Sequence, residues 1–258
     1  MKTNRNIPIV LAVIILTLSV LACSVGTAAE PTPTVLPPTS TSTPEPVSTP
    51  TNTPRPTWTP KPTATPNVAA TQQYDEFSTL LKTYEENGYV STTEGDIYSI
   101  DPFKEEWAQI GWYQWWPFND NISDFVFKAH FNWSTASDTP DESGCGFVFG
   151  IQENGDHYSV FLDKSRILFM MKRGTYAYMV GKTRGPGRTN FGNPAEADFV
   201  LSVKGQSAFV SVDGEVTEYT LSADQTSAGD YGLTLLSGTN SGYGTRCEMN
   251  DILMWTAK

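Results

Sequence analysis

Phe125-Val126-Phe127-Lys128-Ala129-His130-Phe131-Asn132-Trp133 puts Phe125, Phe127, Ala129, Phe131 and Trp133 on one side of an extended chain. Val126, Lys128, His130 and Asn132 fall on the other side, and a period of two is that of a β-strand, whose successive side chains point to opposite faces. Cys145-Gly146-Phe147-Val148-Phe149-Gly150-Ile151 repeats the pattern, with glycines and Val148 on the second face. Further strands are predicted at 97–100, 109–116, 157–163, 166–172, 176–181, 198–204, 208–213, 219–221, 231–236 and 246–255. Asn154-Gly155 and Asp213-Gly214 are two-residue hairpin signals, and Lys204-Gly205-Gln206 makes a short turn. Short strands that each bury one face need a second sheet to bury it against. The predicted fold class is therefore all-β, an antiparallel two-sheet β-sandwich of jelly-roll form.

Upstream, the period changes to that of a helix. Tyr74, Phe77, Leu80, Leu81 and Tyr84 recur at helical spacing, Asn67 is an N-cap candidate and Gly88 a stop. The spacing predicts one amphipathic helix over 68–88, with the sandwich over 89–258. Before it, the 31–66 segment holds 12 of the 18 prolines and almost no large apolar side chain, so it has nothing to pack and reads as a disordered Thr/Pro-rich linker. At about 3.1 Å per residue such a stalk reaches on the order of 110 Å. Every aromatic residue except Trp58 lies beyond residue 67. So do all but two of the 28 acidic and all but four of the 17 basic side chains, which gives that part a formal charge of −13. Nucleic acid is excluded as a partner on that ground, and neutral or cationic material is favoured.

Lys2 and Arg5 precede an apolar run over 7–21, too short for a bilayer span of roughly 20 residues. The run ends in Val20-Leu21-Ala22-Cys23, which resembles the lipobox of bacterial lipoproteins. The resemblance implies a signal peptide over 1–22, lipidation of Cys23 and a linker over 23–67. It also implies a membrane partner through the N-terminal lipid, and an extracytoplasmic, cell-surface location on a bacterial membrane. With Cys23 assigned to lipid, Cys145 and Cys247 remain as an even pair in an exported domain, and a disulfide between them is expected; two buried free thiols are the alternative.

The strand sequences 125–131, 145–149 and 157–162 resemble concanavalin A-like lectin/glucanase sandwiches, laminin-G-like domains included. So do Phe199-Val200-Leu201-Ser202-Val203-Lys204-Gly205 before Val212-Asp213-Gly214-Glu215, and Gly229-Asp230-Tyr231-Gly232-Leu233 before Asp251-Ile252 and Trp255. Laminarinase-type members resemble one another in a strand with Glu-x-Asp-x-x-Glu, which seats nucleophile and acid on one face. That motif is absent, and the pairs Glu85-Glu86, Glu105-Glu106 and Asp141-Glu142 stand side by side. The chain is accordingly expected not to be an enzyme, with no catalytic residue; His130 and His157 read as structural.

The candidate ligand-binding residues are Trp112, Tyr113, Gln114, Trp115 and Trp116, a strand with rings on both faces, of which the core claims one. Rings left over stack on a sugar unless the helix covers them. Tyr176 and Tyr178, with Arg184, Arg188 and Asn190 of the following Gly/Pro-rich loop, are further candidates. Asp138, Asp141 and Glu142, with Asn119, Asp120 and Asn121, are hard oxygen donors of the kind Ca2+ takes in some laminin-G-like domains; no other cofactor is expected. The function expected is a stalked surface lipoprotein binding a polysaccharide or glycan without catalysis. The alternatives are a structural or protein-binding, adhesin-like module that engages an envelope protein, and a glycoside-active enzyme.

Overall fold

The computed structural model describes residues 68–137, 142–181 and 191–258. Of the two units into which the chain divides, Met1–Pro62 lies outside the described residues, and with it Cys23, the apolar run and most of the linker. The second, Thr63–Lys258, is the predicted antiparallel β-sandwich preceded by one helix.

Among the described residues helix α1 is followed by thirteen strands in chain order: α1 (Val68–Glu86), β1 (Gly95–Ser99), β2 (Phe103–Trp107), β3 (Trp112–Pro117), β4 (Phe125–Thr135), β5 (Gly144–Ile151) and β6 (His157–Leu162). The rest are β7 (Ile167–Arg173), β8 (Tyr176–Met179), β9 (Ala195–Lys204), β10 (Ser207–Val212), β11 (Glu215–Thr220), β12 (Asp230–Ser237) and β13 (Thr245–Ala257). Sheet A runs β1-β13-β4-β9-β10-β11, and β2 shares β13 with β1; sheet B runs β3-β12-β5-β6-β7-β8. A bulge between Asn250 and Leu253, with Asp251 at a φ of 52°, separates the halves of β13 that pair β2 and β1.

The β4 alternation holds as read. Phe125, Phe127, Ala129, Phe131 and Trp133 point into the space between the sheets, where Phe127 stacks on Phe147 of β5 at 4.2 Å and Phe131 on Phe199 of β9 at 4.7 Å. Cys145 on β5 and Cys247 on β13 join the two sheets by a disulfide, across a Cα separation of 5.4 Å. The turns follow their residues. Asp213 and Gly214 both take positive φ, 50° and 88°, as a two-residue hairpin demands. Asn154-Gly155 differs from its prediction. Gln152 N–H donates to Asp156 O and Gly155 N–H to Gln152 O, so the loop is three residues long, with Gly155 at a φ of 82°.

Helix α1 ends at Gly88, whose φ is 77°. Tyr89 N–H donates to Tyr84 O and Gly88 N–H to Glu85 O, and the rings of Tyr84 and Tyr89 meet edge to face at 5.3 Å, a Schellman ending with its apolar contact. Phe77, Leu81 and Tyr84 are buried against Val126, Val200, Leu253 and Trp255, the outward side chains of β4, β9 and β13. The helix therefore roofs the outer face of sheet A. The outer face of sheet B has no such cover among the described residues.

Candidate functional site

Strand β3 is an edge strand of sheet B, and its pairing with β12 decides where its rings go. Trp116 lies opposite Leu233 and Gln114 opposite Leu235, both inward positions, whereas Trp115 lies opposite Thr234 and Tyr113 opposite Leu236, on the outer face. The two-faced reading of this strand holds, and the core takes Trp116, which packs on Phe103 at 5.1 Å. Trp112 shares that side but begins the strand, past the cover of the core, and remains 61% exposed. Gln114 is half-buried, its main-chain carbonyl accepting from the Thr234 hydroxyl at 2.7 Å.

Outward, the rings cross their own sheet. On this face β12 presents Gly232 and Thr234, and β5 presents Gly144 and Gly146. Over these low positions the Tyr113 ring reaches Phe161 of β6 at 5.3 Å and His157 at 5.7 Å, and Trp115 reaches His157 at 5.1 Å. A Cβ on Gly146 would stand 2.5 Å from Phe161 Cδ1, so the ring lies across that glycine. The result is a platform in which Tyr113 and Trp115 stay partly exposed over a fully buried His157 and Phe161.

His157 is the hub. Its Nδ1 lies 2.9 Å from Gly155 O; a carbonyl only accepts, so Nδ1 carries the proton. Nε2 then accepts from the Tyr113 hydroxyl at 2.6 Å. Burial pulls the imidazole below its ordinary pKa, aided by the Lys172 charge, and burial pushes the Tyr113 phenol up to about 12. Both groups are neutral at pH 7. They fix the Tyr113 ring edge-on to its neighbours and spare the platform a charge.

The sheets differ sharply in charge. The strands of sheet A carry nine acidic and four basic residues, whereas those of sheet B carry one acidic residue, Asp230, and two basic ones, Lys172 and Arg173. The strands of sheet A thus carry a net −5 and those of sheet B, which hold the aromatic platform, a net +1.

The predicted site residues are not all brought together. Strand β8 is the opposite edge of sheet B from β3, roughly 24 Å away at the usual strand spacing, so Tyr176 and Tyr178 belong to a separate surface. There Tyr176, Tyr178 and Met179 are 68%, 49% and 51% exposed. Arg184, Arg188 and Asn190 lie outside the described residues, as do Asp138 and Asp141. Glu142 pairs with Arg166 at 3.5 Å, and Arg166 also holds the buried Asp163 at 2.9 Å. Among the described residues no three His, Cys, Asp or Glu side chains are grouped to hold a metal ion. His130 is on the surface, 2.8 Å from Asp198.

Sequence reasoning missed the Tyr113–His157 link and a cleft of about 950 Å3 at one end of the sandwich. The cleft lies between the β3–β4 loop, the β5–β6 hairpin and the loop before β12. Three segments far apart in sequence build it, and the one local signal was the polar Glu153-Asn154-Gly155-Asp156 turn.

No protein-family model matches the chain, and no curated protein does. Among solved structures it is similar to the carbohydrate binding module CBM66 from Bacillus subtilis, with 10% identity and a TM-score of 0.46 over 62% of this chain and 95% of that one. It is also similar to a Bacillus licheniformis beta-glucanase, with 10% identity and a TM-score of 0.40 over 54% of this chain and 69% of that one. A third is alginate lyase A1-II', with 9% identity and a TM-score of 0.40 over 53% and 63%. A fructosyltransferase from A. japonicus and the GH43 protein BlXynB from Bacillus licheniformis are similar as well. Most of these are enzymes, which overturns the expectation that the chain is not one. The missing Glu-x-Asp-x-x-Glu motif bears on one reaction type, while the similar structures include a lyase and transfer and hydrolysis enzymes. At about 10% identity and TM-scores below 0.5 they assign no activity to this chain.

Proposed function

We propose that the protein is a stalked surface lipoprotein whose laminin-G-like sandwich binds carbohydrate across the outer face of sheet B. The observation that carries this reading is the position of α1. It covers the outer face of sheet A and leaves Tyr113 and Trp115, on the outer face of sheet B, partly open to solvent. Flat rings with polar edges suit the faces of pyranose sugars and lose little entropy on binding. The low charge of sheet B suits an uncharged polysaccharide or glycan. Lipidation of Cys23, removal of 1–22 and a Thr/Pro stalk belong to this proposal, on the resemblance of Val20-Leu21-Ala22-Cys23 to a lipobox and the proline content of 31–66. In this reading the lipid is the membrane contact and the domain meets material outside the cell.

A second reading is a protein-binding envelope module. Exposed Tyr176, Tyr178 and Met179 on a strand that is the edge of sheet B among the described residues favour it, because an edge strand can accept a strand from another protein. A glycan array probed with the full chain, with and without Ca2+, separates the readings. Carbohydrate binding that Trp115→Ala weakens about tenfold, the equivalent of roughly 1.4 kcal/mol, supports the first. Binding to no glycan, with capture of an envelope protein that a charged residue at Tyr178 abolishes, supports the second.

A further inference from the structure

The end cleft is independent of the β3 rings. At about 950 Å3 it is within the range of ligand sites, and it is lined by Asn121 and Ser123 from the β3–β4 loop, Glu153 and Asn154 from the hairpin, and Asp230. Its walls are held in place by backbone and amide bonds. Ile122 and Gly229 exchange two N–H···O bonds of 3.0 Å, and Gln152 Nε2 donates to Gly150 O at 3.0 Å and Ala228 O at 2.7 Å, which ties the hairpin to the loop before β12. A Cβ at Gly229 would stand 2.7 Å from the main-chain oxygen of Ile151 and 2.9 Å from Gly150 C, so glycine is what admits this closure. No Lys or Arg lines the cleft.

The polar side chains are left with capacity. The Asn121 amide, the Ser123 hydroxyl and the Glu153 carboxylate have no partner among the described residues. Asp230 uses one oxygen, which accepts from Asp120 N–H at 3.1 Å and Tyr231 N–H at 2.7 Å, and keeps the other. A carboxylate accepts through two oxygens, a carboxamide accepts at its oxygen and donates at its nitrogen, and adjacent hydroxyls can do both. Ile122 and Ile151 supply an apolar wall for the C–H face of a ring. An anionic sugar would meet Glu153 and Asp230 with no cation to offset them.

We infer that this cleft is a second saccharide site, one that takes an uncharged sugar through vicinal hydroxyls. The inference rests on the carbohydrate-binding reading of the chain but not on the sheet B platform. Two separate sites on one chain would let a single polysaccharide be held twice.

The test is ligand-observed saturation-transfer NMR on the full chain with glucose, galactose, mannose, fructose and N-acetylglucosamine, and with glucuronate as the charged counterpart. At least one neutral sugar gives a signal. Asn121→Ala combined with Glu153→Ala weakens its binding at least about tenfold, and Trp115→Ala changes it less than about twofold. Glu153→Gln, nearly isosteric on an exposed loop, acts in the same direction with the melting temperature unchanged. Neutral-sugar binding that survives the double substitution overturns the inference, as does glucuronate binding as tightly as glucose. Silence from every monosaccharide, with Trp115-dependent retention of a polysaccharide, overturns the cleft site alone. Silence from both ligand types overturns the cleft and the platform together.

Discussion

The two sheets have the same backbone design and opposite outer faces. Sheet A sets Val126, Val200, Leu253 and Trp255 outward, and these are apolar because α1 lies on them. Its exposed remainder is acidic, with Lys104–Glu248 and Arg246–Glu106 ion pairs at its β2 margin. Sheet B sets glycines and Thr234 at the middle of its outer face, and the rings of Tyr113, Phe161 and Trp115 lie over them with no helix above among the described residues. An apolar outer face that the chain itself roofs is a structural device. An aromatic outer face left partly open is, on the proposed function, a surface for a ligand.

Four substitutions or titrations bear on that contrast. The widest effect comes from Cys145→Ala with Cys247→Ala, since the bridge ties sheet B to sheet A across 102 residues of sequence. In the chain-entropy model the loss is about 4.7 kcal/mol, visible as a lower urea midpoint for the whole domain. If a single sheet melted early instead, the sheets would not share one core. Next is Phe77→Ala in α1, a fully buried ring, with an expected loss of about 3 to 4 kcal/mol and no change in carbohydrate affinity. Lost affinity in a folded Phe77→Ala protein would place the ligand on sheet A. Trp115→Ala does the reverse, with affinity down about tenfold and stability down by only about 1 kcal/mol, as calorimetry of both properties would show.

The smallest effect is a pH dependence. His157 has a folded pKa below its unfolded value near 6.5 because burial resists the charge. The unfolded chain therefore binds the proton first. This contribution to stability is level above pH 6.5 and falls as pH drops below it, by at most about 1 kcal/mol between pH 6.5 and 5.5. His157→Gln flattens that part of the melting-temperature curve; an unchanged slope would mean that the imidazole is not buried under Trp115.

How much of this was legible follows from what each feature depends on. The β4 alternation and the Asp213-Gly214 turn are local, so the sandwich could be read from them. Strand β2 was missed because Phe103-Lys104-Glu105-Glu106-Trp107 has three charged residues in succession. It is a strand because the first half of β13 pairs with it, a partner more than a hundred residues away. Strand β11 was read short for a related reason, since at the sheet edge Tyr219 is its one buried residue. The helix was legible but its seat was not, since Phe77, Leu81 and Tyr84 say that a face is buried and not which sheet buries it. At the site, the two-faced ring pattern of β3 was visible. The bond from Tyr113 to His157 spans 44 residues and two intervening strands, and it exists because Gly146 and Thr234 leave room above them.

The most direct test of the account is hydroxyl-radical footprinting of the full chain with and without a saturating neutral polysaccharide that it binds. Protection of Tyr113 and Trp115 on sheet B, with Tyr74 on α1 and Val216 on β11 unchanged, is the predicted result. Protection confined to α1 and the outer strands of sheet A would contradict it.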